Sequence, residues 1–182
     1  MSSASENTSR LQRVSGTFQS ILNFLIFSIP LIISIYWAFF NHLPVGFTDQ
    51  LLPVPVNKPL SAMILFFGLV VSLILAIPAL YGIFNLKNLF KLYRKKIVFS
   101  HKNAEYILRF GYSLIGWVAA KLIFIAFISA VLTFGNQYGE RMIVLQFEFS
   151  DIAILVSGSV IVIISWIMKE AAIIKEEQKY TI

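Results

Sequence analysis

Four long stretches with almost no charge, residues 21–40, 61–84, 111–134 and 152–168, leave this chain few ways to fold. A helix of about 20 apolar residues crosses the hydrocarbon core of a bilayer, and the last stretch sits at the short end of the workable range. No water satisfies the backbone inside lipid, so each stretch must close its own N–H and C=O groups as a helix. Composition agrees, with 58% hydrophobic and 13% charged residues against about half and a quarter in a soluble domain. The predicted fold is all-α integral membrane: a four-transmembrane-helix bundle, one domain over residues 1–182. A leader (1–20), two outer loops (41–60 and 135–151), a basic connector (85–110) and a tail (169–182) complete it.

Charge sets the orientation. The leader carries Arg10 and Arg13, and the tail carries Lys169, Lys175 and Lys179. The connector carries Lys87, Lys91, Arg94, Lys95, Lys96, Lys102 and Arg109. The outer loops contribute only Lys58 and Arg141. Lys and Arg accumulate on the cytoplasmic side of membrane proteins, so both termini and the connector are expected inside. The first apolar run is too long for the core of a signal peptide and lacks a small-residue cleavage site, so it reads as a retained anchor. The same asymmetry accounts for the +6 net charge without nucleic acid, for which no motif is present.

Local signals add detail. The leader is polar and is expected to be a mobile segment. Pro30 and Pro78 should bend the first two spans, and Pro44, Pro53, Pro55 and Pro59 should keep the first outer loop irregular. Gly68, Ser72, Ala76, Ala79 and Gly82 share one helical face, as do Gly116, Ala119, Ala120, Ala126 and Ala130. Small residues let helices approach closely in lipid, so these stripes are predicted contact faces, against each other or a neighbour. In the second outer loop Ile143, Leu145, Phe147 and Phe149 alternate with Val144, Gln146, Glu148 and Ser150. That period of two predicts a short strand or an extended segment at the interface.

Enzymatic chemistry finds little to use. Cysteine is absent, and His42 and His101 fall on opposite predicted membrane faces, so no metal or other cofactor is expected. There is no phosphate-binding glycine loop and no His placed to serve a Ser nucleophile; the chain is read as a non-enzyme. Lys121 is the only ionisable residue well inside a predicted span, and such residues mark function by default. No acidic residue lies in any predicted span to pair with it. The plainer reading has it snorkel toward the cytoplasmic headgroups.

In the connector Leu86, Leu89, Phe90 and Tyr93 occupy one helical face and Lys87, Lys91, Arg94 and Lys95 another. Such a helix is expected to lie on anionic lipid headgroups, each charge contributing about 1 kcal/mol. Alternatively the charges do nothing beyond fixing topology. Ser100 is a candidate N-cap for a second short helix over 102–109.

The connector LYRKKIVFSHKNAEYILRFGY and the ending KEAAIIKEEQKYTI resemble the YoaS-like family of small bacterial membrane proteins, a domain-of-unknown-function family numbered 2975. The resemblance rests on Phe99, Ser100 and Asn103 and on Glu177, Gln178, Thr181 and Ile182. Two departures stand out. Lys96 replaces a frequent glycine, and Lys179-Tyr180 replace an acidic residue and Leu. The resemblance implies a multi-pass protein of the bacterial plasma membrane with a regulatory role. Its genes often adjoin those of very small helix-turn-helix regulators, which implies such a regulator as cytoplasmic partner. Lys87, Lys91, Arg94, Lys95 and Lys96 together with the family residues would form the docking surface. A small transporter, or an accessory subunit of a transport or lipid-stress complex, is the alternative, and copies of the chain could associate.

Overall fold

The computed structural model describes residues 2–44, 46–48, 52–56, 59–98, 100–134, 139 and 141–180, with side chains described for residue 10 and within 12–174. Four long helices carry the fold: α1 (Ser2–Ala38), α2 (Ala62–Arg94), α3 (His101–Thr133) and α4 (Phe149–Tyr180). Each is long and apolar enough to cross a membrane. A single 3-10 turn, Phe40–His42, follows α1. No strand occurs among the described residues.

The helices outrun the spans read from the sequence, because a charge marks the edge of the bilayer but does not end a helix. The leader is helical, since α1 already runs from Ser2. The connector is helical on both sides of one turn, and its basic first half extends from the second span as its amphipathic pattern leads one to expect, while no separate short helix stands over 102–109. Its first half is the last turns of α2, and its second half is the first turns of α3. Ser100 does cap a helix, its hydroxyl accepting the Asn103 N–H at 3.3 Å, but that helix is the whole of α3. Ser61 caps α2 in the same way through Ile64 N–H. Pro30 and Pro78 lie within continuous helices.

The turn between α2 and α3 closes on Lys96. Ile97 N–H donates to Leu92 O at 3.0 Å and Lys96 N–H to Tyr93 O at 2.9 Å. This 6→1 and 5→2 pair requires a left-handed residue just past the helix end, and Lys96 takes it with φ of 63°. A side chain there is strained, and glycine is not. Lys96→Gly is therefore expected to raise stability by about 1 kcal/mol, read as a higher melting temperature in detergent. Asn103 braces the turn from the other side, its Nδ2 donating to Ile97 O at 2.8 Å and Val98 O at 2.6 Å.

Extensive packing runs between consecutive helices only: α1 on α2, α2 on α3, α3 on α4. The described residues thus form four helices packed up and down in chain order. Small residues set each contact. Trp37 of α1 lies flat against Gly68, where an added Cβ would come within 2.2 Å of the ring. Its Nε1–H donates to Ser72 Oγ at 2.9 Å. Gly82 faces Ser113. Gly111 and Gly158 bring α3 and α4 together, and a Cβ on either would meet the other's carbonyl oxygen at 3.0 Å. Further along, Ser165 Oγ donates to Ala104 O at 2.7 Å.

Where α1 ends and α2 begins, a core of Trp37, Phe40, Val54, Val56, Leu60, Ile128 and Leu132 joins α1, α3 and the proline-rich loop. Asn41 pins that loop, its side-chain amide donating to Leu60 O and accepting from Leu60 N–H.

Candidate functional site

The segment between α3 and α4 folds back against α3. Thr133 Oγ1 accepts Met142 N–H at 3.2 Å and Ser129 Oγ accepts Val144 N–H at 3.0 Å. Residues 141–148 therefore run back along α3, antiparallel to it. The lengths match: six extended steps from Met142 to Glu148 cover about 20 Å, and the twelve helical residues from Lys121 to Thr133 cover about 18 Å. The alternating pattern is an extended segment, but it lies along a helix and has no strand partner among the described residues.

This reversal delivers two carboxylates to Lys121. Its ammonium lies 3.0 and 3.1 Å from the two oxygens of Asp151 and 3.3 Å from Glu148 Oε2. Asp151 is buried, with 1% of its side chain exposed, while Glu148 is 47% exposed. The cluster thus has an enclosed half and an open half. Asp151 does a second task. It is the third residue of α4, and its Oδ2 accepts the N–H of Glu148 at 2.8 Å, one arm of a capping box. A carboxylate is also favoured there by the positive end of the helix dipole. Glu148 additionally accepts from Ser150 Oγ at 3.0 Å and Gln146 Nε2 at 2.9 Å.

Lys121 is therefore not a lone charge: its acidic partners come not from another span but from the loop between α3 and α4, brought along α3 by the returning segment. Lys121 stands twelve residues from Arg109 and twelve from Thr133, about 18 Å each way. That puts the ion pair near the middle of the apolar length of α3. A charge at such a depth is costly and is retained only when paired.

The signature residues of the connector separate into two groups. Lys91, Arg94, Lys95 and Lys96 are exposed at the end of α2. Lys87 is half-buried, with its ammonium 5.8 Å from the centre of the Phe84 ring. Gln12 of α1 donates to Arg94 O at 3.1 Å, and Phe18 stacks on Phe90, so the leader packs against this basic end. Ser100 and Asn103 shape the turn, and Asn103 is wholly buried. Glu177 and Gln178 lie on α4, which continues to Tyr180. Phe99, Thr181 and Ile182 fall outside the described residues. No group of three metal-ligating side chains occurs among the described residues.

Residues 46–182 match a family described as "Protein of unknown function (DUF2975)". The chain belongs to that family. The DUF2975 region takes in α2, α3, α4, the returning segment and all three members of the ion cluster. It leaves out α1, whose Trp37 is supplied from beyond the matched residues. No curated protein and no solved structure matches the chain.

Proposed function

We propose that this DUF2975 protein is a non-enzymatic regulator of the bacterial plasma membrane, with both termini and the α2–α3 turn in the cytoplasm. The reading is carried by the Lys121–Asp151 pair, which ties the start of α4 to the middle of α3. From that latch α4 runs as one 32-residue helix to the tail. A change in lipid packing or at the outer loops that loosens the latch would tilt α4 against α3 and alter the tail beside the basic end of α2. Such a shift between two packings is how a ligand or membrane state changes a distant surface. The output surface comprises Lys91, Arg94, Lys95 and Lys96 with the tail. Anionic headgroups would neutralise it in one state, and a small helix-turn-helix regulator would dock on it in the other.

Co-purification of the tagged protein from its own cells in gentle detergent tests this. A small helix-turn-helix protein should be retained by the full chain and lost when residues 169–182 are removed or Lys91, Arg94 and Lys95 are reversed to Glu. Retention by both variants would put the surface elsewhere, and absence of any such partner from the full chain would remove the regulator.

One observation favours the alternative, a small transporter or accessory transport subunit. The chief objection to it, a lone lysine without an acidic coupling residue, is answered by Asp151 and Glu148. Ion flux in proteoliposomes that disappears in Lys121→Met would establish this role. Flux unaffected by that substitution would take Lys121 out of any transport path.

A further inference from the structure

The returning segment has one bonded edge and one bare edge. In an extended chain the N–H and C=O of one residue point the same way, and those of the next residue point the opposite way. Met142 and Val144 direct theirs at Thr133 and Ser129 of α3, with Met142 O also accepting from Thr133 Oγ1. Ile143, Leu145 and Phe147 therefore turn their backbone groups away from α3. Among the described residues nothing bonds to them. Their side chains are 74%, 74% and 52% exposed.

The surroundings make that bare edge expensive. The segment runs along an apolar helix, and its own Met142, Ile143, Leu145 and Phe147, with Phe149 at the start of α4, are all more than half exposed. This is a lipid-facing surface, and lipid offers no hydrogen-bond partner; each unsatisfied backbone group there costs several kcal/mol. Irregular backbone is tolerated at such depth only where protein covers it. The required cover is an extended edge with the complementary alternation of donors and acceptors and with apolar side chains. An antiparallel copy of the same segment meets those requirements, because a two-fold axis makes such an edge complementary to itself.

We propose that residues 142–148 pair with the same residues of a second copy of this chain, forming a two-stranded antiparallel ribbon centred on Leu145. Leu145 then faces its own copy as a hydrogen-bonded pair, and Ile143 faces Phe147. The ribbon joins the two copies along α3. It also links the two ion clusters, since Glu148 ends the segment in each copy and Asp151 lies three residues beyond. The proposal rests on the segment lying within the bilayer.

The absence of cysteine makes the test direct. Single-cysteine variants of the full chain are oxidised in native membranes, and a water-soluble maleimide is applied in parallel. Leu145→Cys should give a covalent dimer as the main product. The band should be lost for Val144→Cys, whose backbone is turned toward α3, and for Ile163→Cys on the exposed face of α4. Ile143→Cys in one tagged copy should cross-link to Phe147→Cys in another. Dimer formation at all of these positions alike would signal random collision and overturn the pairing, as would a Leu145→Cys protein that stays monomeric. Depth is read separately: Arg141→Cys should react with the maleimide and Leu145→Cys should not. Free reaction at Leu145→Cys would mean that water satisfies the edge, removing the need for a second copy.

Discussion

Asp151→Ala should lower the melting temperature of the protein by several degrees in detergent, and Lys121→Met should do the same. Lys121→Met leaves the buried Asp151 carboxylate without its counterpart, and Asp151→Ala leaves Lys121 with only the half-exposed Glu148. Asp151 carries the larger effect, since its loss also strips the capping bond from Glu148 N–H. Combining Lys121→Met with Asp151→Asn should be less damaging than adding the single losses, because the lone charge is gone and an amide oxygen can still accept at the helix start. Such non-additivity is the signature of direct coupling. Melting curves for the wild type, Lys121→Met, Asp151→Asn and the variant that combines these two give it. Strict additivity would mean that the two groups do not meet.

The second large effect is expected at the α3–α4 contact. Gly158→Val should cost about 1–3 kcal/mol through overpacking. A Cβ there would lie 3.0 Å from Gly111 O and from Ile115 Cγ1, and 3.2 Å from Leu114 Cβ. Backbone on one side and branched side chains on the other leave little to yield. Gly116→Ala is the matched control, since its Cβ would meet only Pro78 at 4.0 Å and should be nearly neutral. Thermal unfolding of the two variants in the same detergent distinguishes them. Equal behaviour would mean that α4 does not pack on α3 in this register.

The membrane architecture was legible because hydrocarbon is an unforgiving solvent. Each of the four apolar stretches lies within or closely overlaps one helix, and small-residue faces at Gly68, Ser72 and Gly82 are contact faces in the structure. Helix ends were less legible, because the criterion for leaving the bilayer is charge while the criterion for ending a helix is capping. The α2–α3 turn shows the difference: Lys87 through Arg94 are charged or polar at intervals, yet the helix ends only where Lys96 turns left-handed. Gly111 lies at the edge of the third span and outside the small-residue stripe read there, although a Cβ on it would meet Gly158 O at 3.0 Å.

The ion pair was the hardest element to foresee. Its partners are 27 and 30 residues from Lys121, and they meet it only because the loop between them reverses direction. Two signals were present. Glu148 and Asp151 have the spacing of a helix cap and its third residue, which would have started α4 at Phe149 rather than at 152. The period-two stretch from Ile143 has the reach to cover half a membrane. Neither signal says that the stretch lies against α3, because the bonds that hold it there come from Ser129 and Thr133, ordinary residues for a helix interior.

The central claim is that the second outer loop returns along α3 to the depth of Lys121. The most direct measurement is a short-span thiol cross-link between Ser129→Cys and Val144→Cys in the same chain, formed in membranes and read as loss of both free thiols at unchanged apparent mass. The account predicts efficient intramolecular closure for this pair and none when Ser129→Cys is combined with Ile163→Cys on α4. Two freely reactive thiols at positions 129 and 144 would place the loop away from α3 and leave Lys121 without Asp151.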